Sequence, residues 1–358
     1  MRRKPDNPSS DQDVGANWLV CPQCNASLKN AKDGHIYCPQ CCSKWPVIDS
    51  VPHFVQEFPY WGEIPLEQML EVNRIAEANS WQHALLQSPE PSVRNAAGMI
   101  LNLDRGNWHW LAGLPPHGRA LDIGAGMGTN SHALAMYYRE VVAVEPVLER
   151  VEFMRRRFSQ EGLDNVRIVR SSVWTLPFQP QSFDLIAMNG VLEWVAQGRS
   201  EEPQQLQEQA IRRVYDLLRP GGCFYIGIEN RWALGYFIGY PDPHCGLPFV
   251  TVLPRHVAHW YARKKGLEHG YRNYLYSSRG YRRLLRAAGF THVEIYAALP
   301  SYNHPRFFVP LRNNIFNYYL RNFTAEPRSG ARKLARELLL RTGILKYCEY
   351  SFVIIARK

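Results

Sequence analysis

The sequence predicts an α/β protein built on a doubly wound, seven-stranded, mostly parallel sheet, with a small cysteine-rich module at its N-terminus. From Arg119 onward, short apolar segments alternate with amphipathic ones, and a glycine-rich turn follows the first apolar segment. Two CxxC pairs lie near the N-terminus. Alternating strands and helices are typical of parallel sheets, whose crossover connections are helical. We therefore expect helices on both faces of the sheet.

Seven segments have the apolar character of strands. They are RALDIGAG, EVVAVEP, NVRIVRSS, FDLIAMNG, CFYIGIEN, THVEIYAALP and EYSFVIIARK. Residues 230–276 and 300–348 exceed what such a sheet needs, and both are rich in Tyr, Phe, His, Pro and Arg. Because long loops in compact domains usually carry function, we expect these two insertions to line a binding site.

The chain is predicted to have four parts. Residues 1–17 are a polar, flexible tail, 18–57 the cysteine-rich module, 58–117 a helical cap or linker, and 118–358 the α/β domain. Apolar residues in LEQMLEVNRIAEANSWQHALL recur at helical spacing. We expect the helices of the cap to pack over the front of the α/β domain.

Composition limits the class of protein. The 46% hydrophobic content of the 358 residues is enough for a sizeable core, and no run approaches the roughly 18 apolar residues of a membrane span. The opening segment has basic residues but lacks the apolar stretch of a signal peptide. We therefore expect a cytoplasmic protein without a membrane span.

The net charge of +10 suits an anionic partner such as RNA. The arginines are dispersed, however, in short groups such as 155–157 and 212–213, on predicted solvent faces of helices. We interpret them mainly as a solvated basic surface, and an RNA partner stays open.

Five of the eight cysteines lie between residues 21 and 42. Two CPQC motifs separated by thirteen residues have the two-knuckle spacing of a tetrahedral zinc site, and their ligands would be Cys21, Cys24, Cys38 and Cys41. Four thiolates leave no open coordination position, so this zinc would be structural. Cys42 is an alternative to Cys41, whereas Cys223, Cys245 and Cys348 are interpreted as packing residues.

The glycine-rich turn is LDIGAGMGTN, residues 121–130. Its glycines allow a tight turn and the close approach of a ligand. Asp122 precedes them, and Glu145 follows the next predicted strand, at a place from which a carboxylate binds both hydroxyls of a ribose. The pattern predicts a nucleoside site.

These motifs resemble the class I S-adenosylmethionine-dependent methyltransferases, whose first motif is (D/E)xGxGxG, over about residues 119–229. The resemblance implies a Rossmann-like methyltransferase fold, with Asp122 near the amino acid moiety of the cofactor, the glycine turn beneath it and Glu145 at its ribose. The implied cofactor residues are Asp122, Gly124, Ala125, Gly126, Gly128, Glu145, Pro146, Ser172, Val173, Asn189 and Gly190. Nicotinamide enzymes instead use G-x-G-x-x-G spacing to bind a pyrophosphate.

Two further segments resemble the same family. SSVWTLPF, residues 171–178, is similar to GDAxxLPF, but Ser172 replaces the Asp that usually accepts from the adenine amine. The adenine contact is then weaker or shifted, with Trp174 stacking nearby. FDLIAMNGVLEWV resembles the fourth-strand motif, which implies that Asn189 and Gly190 line the methionine side of the cofactor.

The segment after the second CPQC motif, KWPVIDSVPHFV, resembles the ending of small zinc-ribbon proteins that activate tRNA and translation-factor methyltransferases. A ribbon fused before a methyltransferase is also similar to certain ribosomal RNA guanine methyltransferases. The resemblance supports the ribbon more than any particular substrate.

Methyl transfer from a sulfonium requires alignment of acceptor, methyl and sulfur in a dry pocket, and a hydroxyl acceptor also needs a base. Asp242 and His244 form the most polar point of the aromatic loop after the fifth strand, where the acceptor pocket of this fold opens, and Glu229, Asn230 and Arg231 lie at the tip of that strand. We predict His244 as the base, with His304 as a second candidate.

Three hypotheses about function follow. IENR, DxHxGLPF and YNHPRFFVPL resemble methyltransferases of bacterial surface-polysaccharide and other glycan or secondary-metabolite pathways. This favours O-methylation of a small-molecule or glycan acceptor. The second hypothesis is an RNA methyltransferase that uses the ribbon and the basic surface. The third is a scaffold without turnover, which the Ser172 departure would fit. No protein partner is indicated.

Overall fold

The structure is a computed structural model that describes residues 18–31, 33–113, 118–324 and 329–358. The flexible tail predicted for residues 1–17 lies outside the described residues. Within the described ranges, no helix has both the length and the apolar character that a bilayer span requires.

The N-terminal third contains a small antiparallel sheet and a group of helices. The strands pair in the order β1 (Lys29–Asn30), β2 (His35–Tyr37), β3 (Lys44–Ile48) and β4 (Val51–Pro52). The helices are α1 (Leu66–Ala78), α2 (Trp81–Leu86), α3 (Pro91–Ile100), a 3₁₀ helix (Leu103–Gly106) and α4 (His109–Ala112).

The first half of the α/β domain alternates strands and helices as predicted. Its elements are β5 (Arg119–Ile123), α5 (Thr129–Ala135), β6 (Glu140–Val144), α6 (Leu148–Glu161), β7 (Val166–Val169), β8 (Phe183–Asn189), a 3₁₀ helix (Leu192–Trp194), α7 (Pro203–Leu217) and β9 (Leu218–Glu229).

The second half contains the two insertions and the closing strands. Its elements are α8 (Leu234–Phe237), α9 (Arg255–Lys264), α10 (Ser278–Ala287), β10 (His292–Ser301), β11 (His304–Pro310), α11 (Asn313–Phe323), α12 (Gly330–Thr342), a 3₁₀ helix (Leu345–Tyr347) and β12 (Ser351–Arg357).

The large sheet has the order β11-β10-β12-β9-β8-β5-β6-β7 over the described residues. Strands β5 to β9 pair in parallel, and β12, β10 and β11 add antiparallel pairs at one side. The predicted α/β class and all seven predicted strands are confirmed. The sheet has eight strands because β11 forms within the insertion 300–348. Its sequence, HPRFFVP, has two prolines, which an edge strand tolerates because one side of it needs no ladder.

Helix α7 illustrates how the sequence builds these layers. Its buried side chains recur three or four residues apart and so form one apolar stripe against the sheet; they include Leu206, Ala210, Ile211, Val214 and Leu217. Strand β8 is buried over most of its length, as expected for a central strand covered on both faces.

The helical cap packs beside the glycine turn. Met69 and Val72 of α1 share a buried cluster with Phe153 of α6 and with Met127 of the turn itself. The side-chain amide of Asn73 donates to the carbonyl of Glu149, at 2.8 Å. The cap therefore supports the turn and the helix after it.

The cysteine-rich module docks on the edge of the large sheet. The amide of Val20 donates to the carbonyl of Pro177 at 2.8 Å, and the ring of Trp18 contacts Phe178, with centroids 5.5 Å apart. At the other end of the module, His53 forms a parallel bridge with Arg170, directly after β7. The module therefore shares its core with the α/β domain.

The strand order identifies the end of the sheet at which a ligand is expected to bind. The central strand β5 has β6 on one side and β8 on the other, and the chain passes from one side to the other at this point. In open parallel sheets, ligands bind outside the carboxyl ends of the strands at such a topological switch.

Candidate active site

The glycine turn begins at the carboxyl end of β5. The amides of Gly124 and Ala125 both donate to the carbonyl of Val144, at 2.8 and 2.9 Å. Gly124 has φ +70°, and a Cβ there would lie 2.5 Å from Cγ2 of Val191. Gly128 has φ +80° and is the N-cap of α5. A Cβ on Gly128 would lie 2.5 Å from Cζ of Phe158, so both positions require glycine, for close packing and for a left-handed backbone.

Glu145 lies directly after β6 and faces the turn. Its Oε2 accepts from the amide of Gly126 at 2.8 Å, and its Oε1 accepts from the amide of Val147 at 3.1 Å. Burial raises the pKa of Glu145, and the positive charge of Arg150 opposes this. The carboxylate is thus held in one orientation by backbone amides, and its remaining lone pairs can accept further hydrogen bonds.

Asp122, near the end of β5, is the second carboxylate at the turn. It is buried, and its Oδ2 accepts a hydrogen bond from Oγ of Ser131 at 2.7 Å. Burial raises its pKa to about 6, against the effects of the Ser131 hydroxyl and the Arg105 charge. Two buried carboxylates therefore flank the turn, as the sequence predicted.

The segment that includes Ser172 and Val173 lies beside Glu145, since the amide of Ser171 donates to the Glu145 carbonyl at 3.3 Å. Oγ of Ser172 accepts from the amide of Trp174 at 3.2 Å and so stabilises a local turn. The guanidinium of Arg199 lies 4.5 Å above the Trp174 ring. One face of the predicted stacking residue is therefore covered by an arginine. The carbonyl of Pro146 accepts from Nε of Arg170, which ties the loop after β6 to the same segment.

Asn189 and Gly190 lie at the end of β8. With its amide oriented to satisfy both neighbours, Asn189 donates to Oη of Tyr225 at 2.5 Å and accepts from Nη2 of Arg105 at 2.7 Å. Gly190 has φ +68°, and a Cβ there would lie 2.8 Å from Oη of Tyr302. The predicted methionine side of the cofactor site is therefore closely packed.

Arg105 is a charged residue of this site that the sequence analysis missed. It lies on the 3₁₀ helix Leu103–Gly106 of the cap, and its Nη2 is 2.6 Å from Oδ1 of Asn303. This helix packs tightly on α5, because a Cβ on Gly106 would lie only 2.4 Å from Cβ of Ala133. No motif marks Arg105, because it lies outside the glycine motif, in a segment whose sequence predicts only a helical cap.

Asp242 and His244 come together next to this end of the site. Nδ1 of His244 is 3.0 Å from Oδ1 of Asp242, which also accepts from the amides of His244 and Cys245. Nε2 of His244 faces two further carboxylates, at 3.5 Å from Oε1 of Glu193 and 3.6 Å from Oε2 of Glu229. We call Glu193, Glu229, Asp242 and His244 the acidic cluster.

The acidic cluster adjoins the cofactor residues. Glu229 ends β9, and its Oε1 accepts from Oη of Tyr302 at 3.1 Å, the same hydroxyl that closes over Gly190. A Cβ on Gly190 would lie 3.6 Å from Oε1 of Glu193. The side chain of Tyr302 therefore connects the acidic cluster with the predicted methionine side of the cofactor site.

The charges of the acidic cluster affect one another. Burial raises the pKa of Glu229 to about 7, and the neighbouring charge of Glu193 adds to the effect. Burial alone would lower the pKa of His244, but the hydrogen bond to Asp242 and the charges of Glu193 and Glu229 outweigh it and raise the pKa to about 11. The predicted role of His244 as a base therefore requires that its proton leave when an acceptor binds.

Other polar residues predicted near the acceptor have different positions. His304 begins β11, where it is exposed. Asn230 donates to the carbonyls of Tyr347 and Glu349 and so joins the two insertions. Arg231 donates to the carbonyl of Thr251 at 2.8 Å. Asn230 and Arg231 thus hold backbone segments together. Glu193, which the sequence did not predict, belongs to the acidic cluster.

The cysteine site is separate from this region. The Sγ atoms of Cys21, Cys24, Cys38 and Cys41 all lie within 4.8 Å of one another. Sγ of Cys21 is 3.5 Å from that of Cys41, and the other pair is 3.4 Å apart. A tetrahedral zinc with Zn–S bonds of about 2.3 Å needs sulfur atoms roughly 3.8 Å apart. The four thiols therefore fit a tetrahedral metal, and Cys41, not Cys42, completes the set.

Comparison with known proteins bears on the cofactor end of the site. Residues 121–226 match a family described as "Methyltransferase domain". The matched segment contains the glycine turn, Glu145 and Asn189, and it ends before Glu229 and His244. The resemblance to S-adenosylmethionine-dependent methyltransferases is confirmed for this segment.

Individual relatives match about a third of the chain. The uncharacterized methyltransferase YcgJ of Bacillus subtilis is 31% identical over 108 residues, which are 30% of this chain and 39% of YcgJ. The demethylmenaquinone methyltransferase of Clavibacter sepedonicus is 36% identical over 108 residues, 30% of this chain and 40% of that protein. The mitochondrial ubiquinone biosynthesis O-methyltransferase of Rattus norvegicus is 29% identical over 124 residues, 34% of this chain and 33% of that protein.

The chain thus spans about two fifths or less of the length of these relatives. The crystal structure of YcgJ superposes with a TM-score of 0.40 and 20% identity, over 71% of this chain and 97% of that one. Of the acidic cluster, Glu193 lies inside the segment that matches the methyltransferase family, whereas Glu229, Asp242 and His244 lie outside it.

Proposed function

We propose that this chain is a cytoplasmic S-adenosylmethionine-dependent methyltransferase that methylates an oxygen of a small-molecule or glycan acceptor. The observation that carries the proposal is the position of Glu145, whose buried carboxylate is oriented by the amides of Gly126 and Val147 at the edge of the glycine turn. A carboxylate at the end of the second strand is the group that binds a ribose in this type of fold.

The remaining predicted residues suit the rest of the cofactor. Asp122 and Arg105 carry opposite charges on the Asn189 side of the turn, where the ammonium and carboxylate groups of the methionine moiety would each find a counter-charge. Ser172 and Val173 lie on the Glu145 side, toward the adenine. The cofactor would therefore extend from Glu145 to Gly190.

The acidic cluster suits an acceptor at the methyl end. When bound, the cofactor supplies the methyl group, and its sulfur keeps the electron pair of the broken C–S bond. The acceptor oxygen forms the new C–O bond, and its proton must leave. We place the hydroxyl beside Gly190, where the carboxylates of Glu193 and Glu229 can accept its proton; His244 can do so only after it has lost its own.

The names of two relatives support an acceptor of small size. One is called a demethylmenaquinone methyltransferase and another a ubiquinone biosynthesis O-methyltransferase. The insertions 230–276 and 300–348, which meet through Asn230, are rich in aromatic residues, which suits a ring or a sugar face. We therefore propose a phenolic, quinol or sugar hydroxyl as acceptor, in preference to RNA.

Cofactor binding tests the first part of the proposal. We predict that Glu145→Gln weakens the binding of S-adenosylmethionine about 10- to 100-fold, because it replaces charged hydrogen bonds worth about 1.5–3 kcal/mol with neutral ones. Isothermal titration measures the change. The matched control is Glu140→Gln at the other end of β6, where Glu140 pairs with Arg119 at 2.6 Å; it should bind as the wild type does.

Transfer of a labelled methyl group tests the second part. Phenols, quinols and sugars are offered in parallel with bulk RNA, and incorporation into a hydroxylated small molecule is expected. Label in RNA alone would refute the proposed acceptor class while leaving the enzyme class intact. A wild-type protein without affinity for the cofactor would refute both and favour the non-catalytic scaffold.

A further inference from the structure

The acidic cluster contains buried oxygen atoms that lack hydrogen-bond partners. Glu193 is only 1% exposed, and neither of its carboxylate oxygens has a hydrogen-bond partner among the described residues. Oε2 of Glu229, which is 4% exposed, also lacks one. Buried carboxylates normally have their lone pairs satisfied, because an unsatisfied buried charge costs several kcal/mol. Two of these atoms, Oε1 of Glu193 and Oε2 of Glu229, face Nε2 of His244 at 3.5 and 3.6 Å, and this group of three atoms therefore indicates a place for a cation.

By contrast, the fourth member of the cluster is fully engaged. Oδ1 of Asp242 accepts from Nδ1 of His244 and from two backbone amides, and Oδ2 accepts from Oη of Tyr271 at 3.2 Å. Asp242 thus holds the imidazole so that Nε2 points to Glu193 and Glu229. A carboxylate that orients a histidine through the nitrogen remote from the ligand site is the usual outer support of a metal-binding histidine.

The geometry of the three inner atoms fits one metal ion. One oxygen of Glu193, one of Glu229 and Nε2 of His244 lie within 4.8 Å of one another, and the two nitrogen-to-oxygen distances are 3.5 and 3.6 Å. Ligands with bonds of about 2.1 Å lie about 3.0 Å apart in octahedral and about 3.4 Å apart in tetrahedral coordination. The two nitrogen-to-oxygen distances therefore exceed these values by only about 0.1–0.6 Å.

We propose that Glu193, Glu229 and His244 bind a first-row divalent cation at the acceptor end of the site, and that Asp242 positions His244 for it. Two carboxylates and one imidazole are donors that suit Mn²⁺, Fe²⁺ or Zn²⁺. The inference deepens the proposed function. The cation site itself does not depend on that function; only the role of the cation in the reaction rests on it.

Three protein ligands leave at least one coordination position open, in contrast to the four thiols of the ribbon. The cluster adjoins the Gly190 end of the cofactor site, because Glu193 and the Tyr302 hydroxyl both approach Gly190. A cation there would bind the acceptor oxygen, lower the pKa of its hydroxyl and hold it in line with the methyl group. The site therefore selects acceptors with an oxygen free to coordinate a metal.

Mn²⁺ serves as the probe, because hard donors suit it better than the thiolates of the ribbon do. Titration of the zinc-loaded protein, followed by electron paramagnetic resonance of free Mn²⁺, should show one bound ion per chain. Spin-echo modulation should reveal one coordinated nitrogen, and His244→Ala should abolish it. No bound Mn²⁺, or bound Mn²⁺ without a nitrogen ligand, would overturn the proposal.

Variants distinguish the proposed metal ligands from Asp242, which positions one of them. Glu193→Gln and Glu229→Gln should each weaken Mn²⁺ binding at least 100-fold, and Asp242→Asn 10- to 100-fold, since it disturbs only the orientation of His244. Glu67→Gln on the exposed side of α1 is the matched control and should bind as the wild type does. Equal affinity in the wild type and the Glu193 and Glu229 variants would refute the assignment.

S-adenosylmethionine binding, measured on the same samples, distinguishes this inference from the proposed function. Variants that keep the cofactor affinity and melting temperature of the wild type but lose Mn²⁺ support the site. A wild type that binds the cofactor but not Mn²⁺ refutes only the cation site. A wild type that binds Mn²⁺ but not the cofactor refutes only the proposed function.

Discussion

At the scale of single residues, the site depends on charges placed beside glycines. Gly124, Gly128 and Gly190 all have positive φ, and a Cβ on any of the three would meet a side chain within 3 Å. Glu145 and Asp122 are predictable from the motif because each ends, or nearly ends, a strand next to the turn. Arg105 is not predictable from the motif, because its contact with Asn189 depends on how the 3₁₀ helix Leu103–Gly106 of the cap packs.

Arg105 gives a prediction that separates the two halves of the cofactor. If its guanidinium binds the methionine carboxylate, Arg105→Ala should weaken S-adenosylhomocysteine about 10- to 100-fold, the cost of a charged hydrogen bond. Binding of 5′-methylthioadenosine, which has no amino acid group, should hardly change. Titration calorimetry with both ligands measures the difference. Equal losses for the two ligands would show that Arg105 acts only through the packing of Asn189.

At the scale of elements, the ribbon is joined to the sheet through β4 and the segment after β7. The amide of Phe54 donates to the Arg170 carbonyl at 2.8 Å, and the Arg170 amide donates to the Pro52 carbonyl at 3.0 Å. His53 lies between these bonds, buried, with Nδ1 3.4 Å from Nη1 of Arg170. The junction therefore holds a histidine that must remain neutral.

This junction predicts a pH dependence of stability. Burial, together with the charge of Arg170, lowers the pKa of His53 from 6.5 to about 4. Between these two values the unfolded chain binds a proton that the folded protein does not, so stability falls as the pH decreases. The loss between pH 7 and pH 5 is about 2 kcal/mol at 1.36 kcal/mol per pKa unit.

Denaturant unfolding of the wild type and of His53→Gln at both pH values measures this contribution. The difference in unfolding free energy between pH 7 and pH 5 should be smaller in the variant, because glutamine does not titrate there. Other groups titrate equally in both proteins, so they cancel in the comparison. Identical pH profiles would contradict the role assigned to His53.

At the scale of the whole molecule, the ribbon and the α/β domain form one core. Trp18, Cys21 and Cys38 belong to the same buried cluster as Phe178 and Phe183 of the large domain. A separate zinc ribbon would unfold alone when its metal is removed. Here, loss of the zinc would expose residues of the ribbon that also cover the edge of the large sheet.

We therefore predict that removal of the structural zinc that we propose destabilises the entire protein. A strong chelator should lower a single melting transition by at least about 5 °C, since about 1 kcal/mol shifts a domain of this size by 2–4 °C. Cys38→Ser should reproduce the effect in calorimetry. The control is Cys42→Ser, which should melt as the wild type does because Cys42 is exposed and outside the cluster of four thiols. Two separate transitions would contradict a shared core.

The sequence by itself determined the features that depend on neighbours in the chain. The seven strands, the glycine turn with Asp122 and Glu145, and the two CxxC pairs are patterns within about 25 residues, where periodicity and spacing act directly. Only the tertiary structure decided which distant side chains converge. Glu193, Glu229, Tyr302 and Arg105 come from four separate segments, and no local preference relates them. Their meeting depends on strand order and on the packing of the cap and insertions, because these alone bring segments up to 198 residues apart into hydrogen-bond contact.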